Sequence, residues 1–172
     1  MRRLILALLL VISLCSAAQV PRKAAEFVIQ NPDGKQLLLS SYRGKPVVLA
    51  LMFTTCQHCQ KMAPVLSRIQ TEYAPKGVQV LGATFDAGAA FGVQTFIKAF
   101  GVNFPCGYSN NKAVMEFLQS PPDVPPVVPG LVFIDRAGII RGQFIGDEKF
   151  LSNPEANIRA EIEKLLKRPA KL

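Results

Sequence analysis

Thr54-Thr55-Cys56-Gln57-His58-Cys59 follows an unbroken apolar run, Val47-Val48-Leu49-Ala50-Leu51-Met52-Phe53. A short, wholly apolar run bounded by turn residues predicts a strand buried on both faces, as in the middle of a parallel sheet. Beyond Cys59, the apolar residues Met62, Ala63, Leu66, Ile69 and Tyr73 recur at helical spacing, so both cysteines fall in a helix's first turn. Unpaired backbone N–H groups and the positive end of the helix dipole favour an anion there, and a thiolate is an anion. Cys56 is placed to ionise more easily than a free cysteine. Cys59 follows one turn on, within reach of a disulfide with it. The stretch reads as a redox dithiol.

Working outward, Pro64 lies inside the same helix and should kink it, since proline deletes a backbone hydrogen bond. Ala74-Pro75-Lys76-Gly77 ends the helix and Val78 to Phe85 forms a second strand. Strand, helix and strand at this spacing make a βαβ unit with parallel strands. On the N-terminal side, Glu26 to Gln30 and Gln36 to Leu39 flank the turn sequence Asn31-Pro32-Asp33-Gly34 and predict a hairpin. On the C-terminal side come a helix over 90–100, a short strand at Phe104 to Tyr108 and a short helix at Lys112 to Gln119. Ser120 to Pro129, with prolines at 121, 122, 125, 126 and 129, is predicted extended and stiff. Leu131 to Asp135 and Ile139 to Ile145 form a hairpin across Arg136-Ala137-Gly138. Pro154 then opens a last helix with the apolar stripe Ile158, Ile162, Leu165 and Leu166.

The ends read differently. Arg2 and Arg3, the apolar run Leu4 to Leu14 and the small residues Ser16-Ala17-Ala18 make residues 1–18 an export signal peptide, cleaved near Ala18. Retention as an anchor is the alternative. Lipid attachment at Cys15 is disfavoured by the bulky Leu14 before it. Residues 19–24 are then a flexible lead-in, 25–168 a single domain and 169–172 a tail. The chain carries 20 basic against 12 acidic residues, and losing Arg2 and Arg3 leaves it basic. The charges are scattered, with no basic stripe interleaved with aromatics, so nucleic-acid binding is not expected. Of the four cysteines, Cys15 leaves with the signal, and one close pair plus the odd Cys106 is not a disulfide-stapled scaffold. Cys106 reads as a buried apolar residue, with a third redox thiol as the alternative. A structural zinc site wants four ligands; three cysteines and the single histidine, with Cys106 distant, make a poor set.

The element order, with a CxxC opening the first major helix, Pro64 five positions after Cys59, and Val128-Pro129 just before the final hairpin, resembles the thioredoxin fold. This is an α/β fold, a central mixed sheet flanked by helices. The N-terminal hairpin and a helix and strand inserted between 86 and 110 are similar to the TlpA/ResA branch of exported thiol–disulfide oxidoreductases. The resemblance covers roughly residues 25 to 167. It implies that Pro129 is cis and packs against the CxxC, and that Thr55, Val128, Pro129 and Gly130 line the substrate groove. It also implies protein substrates with cysteines or disulfides, a membrane or periplasmic electron-exchange partner, no cofactor and no metal, a monomer, and a place in the bacterial periplasm or at the outer face of the cytoplasmic membrane.

The chain also departs from the family. Ala50 stands where thioredoxins carry a buried acid, and Met62 where the TlpA/ResA branch often has one. Such acids accept the resolving cysteine's proton, so water, another residue or slower exchange must serve here. Thr55 replaces the usual tryptophan. Gly130 replaces a threonine, which would widen the groove.

Exchange begins when a thiolate attacks a disulfide sulfur, and a second thiol resolves the mixed disulfide. Cys56 is the exposed sulfur of that pair and Cys59 the resolving one. Gln57 and His58 are the tuning residues: a protonated His58 would stabilise the Cys56 thiolate and make the disulfide more oxidising. Against that, the TlpA/ResA resemblance points to a reductase, which is the direction expected. Two other classes stay open. Paired thiolates suit copper(I), and Phe53-Thr54-Thr55-Cys56 faintly resembles copper-delivery members of the fold, though their longer CxxxC spacing and distant histidine are missing. Peroxiredoxins share the fold and the hairpin, but Phe53 stands where their threonine precedes the peroxidatic cysteine.

Overall fold

The computed structural model describes residues 19–121 and 123–168. The expected export signal, with Cys15, and the expected tail at 169–172 lie outside the described residues, as does Pro122. In chain order the elements are β1 (Arg22–Lys23), β2 (Val28–Gln30), β3 (Gln36–Leu38), β4 (Val47–Met52), α1 (Gln57–Tyr73), β5 (Gln79–Thr84), α2 (Ala89–Ala99), β6 (Cys106–Tyr108), α3 (Asn111–Leu118), β7 (Gly130–Ile134), β8 (Ile139–Ile145), α4 (Glu148–Leu151) and α5 (Pro154–Leu166). All eight strands join one sheet in the order β1-β8-β7-β4-β5-β6-β2-β3.

The apolar run is the middle of that sheet. Every residue of β4 is buried, and it pairs in parallel with β5 and antiparallel with β7. Successive side chains of a strand point to opposite faces, so β4 feeds two cores. Val48, Ala50 and Met52 pack with Cys59, Leu66 and Ile69 of α1 and with Ile158 and Ile162 of α5. Val47, Leu49 and Leu51 pack on the other face with Phe27, Leu39, Val114 and Phe117. This is why the run has no polar residue: neither face meets water.

β5 and β6 are also parallel, and the N-terminal hairpin β2–β3 joins antiparallel at β6 through Gln30 and Tyr108. That junction is close. A Cβ on Gly107 would stand 2.1 Å from the Gln30 carbonyl oxygen, so only glycine fits there. Helix α1 runs continuously through Pro64, and α5 begins on Pro154. The two helices are tied at the surface by Glu155, which takes Arg68 and Arg159, while Arg159 also takes Glu72.

Three features differ from the sequence expectation. Arg22–Lys23, inside the expected flexible lead-in, form an edge strand on β8, and the neighbouring Ala24 is buried. The short helix α4 was not anticipated; the Asp147 carboxylate caps it by accepting from the Phe150 N–H at 2.9 Å. The proline-rich stretch is not uniformly extended, because the Val124 N–H closes a turn onto the Pro121 carbonyl.

Candidate active site

Strand β4 delivers the chain to Phe53, whose ring packs edge-on against Phe85 at 4.7 Å. The Cys56 N–H donates back to the Phe53 carbonyl at 3.3 Å, and the Cys56 carbonyl accepts from the Gln60 N–H at 2.9 Å, starting α1. Cys56 is thus the residue at the helix N-terminal boundary, half-buried, while Cys59 is one turn in and fully buried. Both are free thiols, Cys59 lying one helical turn behind Cys56. Burial pushes the Cys59 thiol strongly up; a backbone hydrogen bond from Phe53 opposes this, and the neighbouring Cys56 and Asp86 add to it. One sulfur is reachable and the other is held protonated behind it.

The tuning and groove residues of the sequence reading divide. Thr55, Gln57 and His58 are exposed around Cys56, and Val128 packs against both cores. The Val128–Pro129 bond is cis. Pro129 meets His58 at a cavity of about 190 Å³, whose other walls are Lys61, Met62, Leu151 and Pro154. Residues from α1, the segment before β7, α4 and α5 therefore converge beside the dithiol. Gly130 does not widen this groove. It is buried, and a Cβ there would come 2.8 Å from Ile145 Cδ1, so β8 has already filled the space.

Two residues were missed by sequence reasoning. Gln60 sends its side-chain N–H to the Thr54 carbonyl at 3.0 Å. Asp86 takes two hydrogen bonds from Thr54, from its N–H at 2.8 Å and its hydroxyl at 2.6 Å. A topological signal for Asp86 was present: it lies just past β5, so parallel pairing puts it at the same sheet edge as the loop after β4. Gly92 of α2 closes the loop from above, since a Cβ there would stand 3.1 Å from the Thr54 hydroxyl. On the far side of the loop a hollow of about 550 Å³ is lined by Phe53, Phe85, Asp86 and Tyr108.

Cys106 is buried on β6 in the same core as Cys59, and burial pushes its thiol up to about 12. β5 stands between its strand and β4. Among the described residues, no group of three or more His, Cys, Asp or Glu could hold a metal ion, and no helix is long and apolar enough to cross a membrane.

The chain has relatives. A model of the AhpC/TSA family matches residues 20–143. The thiol-disulfide oxidoreductase ResA of Bacillus thuringiensis (strain Al Hakam) is 26% identical over 130 residues, 76% of this chain and 72% of the relative. Among solved structures, a thioredoxin-like superfamily protein has a TM-score of 0.68 at 26% identity, covering 87% of this chain and 99% of that one. A thiol:disulfide interchange protein of the thioredoxin family from Chlorobium tepidum TLS has a TM-score of 0.71 at 20% identity, covering 85% and 97%. The likeness covers most of the chain, and the α/β architecture is the thioredoxin fold.

Proposed function

We propose, from the premise that this chain belongs to the AhpC/TSA family, that Cys56 and Cys59 form an exchange-active dithiol which reduces disulfides of other exported proteins. The chain is a ResA-like thiol–disulfide oxidoreductase of the thioredoxin fold. The observation that carries the residue assignment is the pairing of a half-buried sulfur at a helix N-terminus with a fully buried one a turn behind it. Cys56 as thiolate attacks one sulfur of a substrate disulfide, forming a mixed disulfide and releasing the other sulfur as a thiolate that takes up a proton. Cys59 then loses its proton and attacks Cys56; the second substrate sulfur leaves with the electron pair and is protonated. Two electrons have passed to the substrate, and the Cys56–Cys59 disulfide awaits a reductant.

The groove supports this reading. An extended substrate segment can lie along the backbone before Pro129, with a flanking side chain in the cavity under His58 and Leu151. In this reading residues 1–18 export the chain to the periplasm or the outer membrane face, and a membrane or periplasmic partner resupplies electrons to a monomer. Copper delivery and peroxide reduction gain nothing from the relatives, whose names speak of thiol–disulfide chemistry or the thioredoxin fold.

The test is the reduction potential of the pair, by acid-trapped equilibration against glutathione buffers. A value near the thioredoxin end, roughly −270 mV, is expected; one near roughly −120 mV, as for DsbA, would overturn the direction. Cys59→Ser should accumulate the mixed disulfide with a substrate and Cys56→Ser should not form it. Absence of any reversible two-electron couple would overturn the exchange reading as a whole.

A further inference from the structure

Asp86 has an unusual setting for an acid. Both its oxygens are engaged by one residue, Thr54, through the backbone N–H at 2.8 Å and the hydroxyl at 2.6 Å. No Lys, Arg or His among the described residues forms an ion pair with it. Thr54 stands two residues before Cys56, and its carbonyl is held in turn by the Gln60 side chain from α1. The loop carrying the reactive sulfur is therefore clamped from both sides, and a carboxylate with no counter-ion is fixed against it. Around the thiol pair, β4 offers Ala50 and α1 offers Met62, both buried and apolar. The other titratable or charged groups facing this end are His58 and Lys61 on α1 and Tyr108 on β6, which shares a hollow with Asp86.

We infer that Asp86, held in place by its two bonds to Thr54, poises the Cys56–Cys59 pair towards the reducing side through its charge; this rests on the exchange reading of that pair. The physical reason is electrostatic. Only the reduced state contains a thiolate, and a fixed negative charge nearby disfavours it. Destabilising the reduced state stabilises the disulfide relative to it, and so makes the dithiol a better reductant. A protonated His58, exposed on the groove side, would pull the other way.

The experiment compares the full chain with Asp86→Asn, Asp86→Ser and Thr54→Val, each equilibrated against glutathione between pH 6 and 10, with circular dichroism to check folding. Asp86→Asn should shift the equilibrium about tenfold towards the dithiol, the order expected for removing one nearby, partly screened charge. For a two-electron couple this makes the protein about 30 mV more oxidising. The pH at which the potential changes slope should also fall. Asp86→Ser, smaller but still an acceptor for Thr54, reads the same shift should Asp86→Asn fail to fold. Thr54→Val keeps the charge and the backbone half of the clamp, and should move the potential by less than about half the Asp86→Asn shift on the logarithmic scale. Folded, uncharged variants with the wild-type potential and slope break would overturn the inference. So would a Thr54→Val shift equal to that of Asp86→Asn, which would assign the effect to loop packing. A wild-type protein with no reversible couple would instead sink the exchange reading beneath it.

Discussion

What each side chain near the dithiol can do is set by its surroundings: Cys56 is half-buried at a helix end, and Cys59 is fully buried one turn behind it. Cys56, Cys59 and His58 announce themselves by spacing after an apolar run, because a helix N-terminus is a local feature. Asp86 bonds Thr54 across 32 positions, and that contact exists only once β4 and β5 have paired. Gly130 shows the opposite failure. A missing side chain looked like room, but Ile145 from β8 occupies it, which no local reading could reveal. Cys106 shows how burial decides between two uses of one residue type. Its thiol is pushed up to about 12 in an apolar core, so it is poorly placed to act as a nucleophile. Cys106→Ala should leave the reduction potential and the exchange rate unchanged, as glutathione equilibration and insulin-type turnover would show; a loss of either would restore a relay role.

Among the elements, the strongly patterned ones were readable and the short ones were not. β4, α1, β5 and α5 follow from apolar runs or 3.6-residue stripes. β1 is two residues long and has no period, and α4 rests on one capping carboxylate, so both depend on what they pack against. The hairpin β2–β3 was legible from its turn, but its attachment was not. It reaches the sheet through a single close approach at Gly107, beside Gln30. Gly107→Ala must force the Gln30 backbone away, and should destabilise the protein by about 3 kcal/mol, the upper range for overpacking. The urea midpoint would report this, and a value within error of wild type would mean the hairpin swings clear at little cost.

For the whole molecule, the buried thiols give stability an alkaline limit. Both Cys59 and Cys106 are raised above the ordinary value of 9.0, chiefly by burial. Unfolded, they would ionise near that value; folded, they keep their protons. Their contribution is therefore complete below about pH 9 and is lost as pH climbs towards 12 and beyond. The reduced protein should show a urea midpoint that falls between pH 8 and 10.5. The form with a Cys56–Cys59 disulfide has no Cys59 proton to lose and should fall less steeply, and Cys106→Ala less steeply again. Equal slopes for the reduced and disulfide forms would show that Cys59 is not the titrating group. The sheet also governs how the protein opens. Because alternate residues of β4 belong to opposite cores, neither core can loosen without moving the wall of the other. Its amide hydrogens can then reach solvent only when both halves open together, so they should be the last in the chain to exchange for deuterium, at the rate of global unfolding.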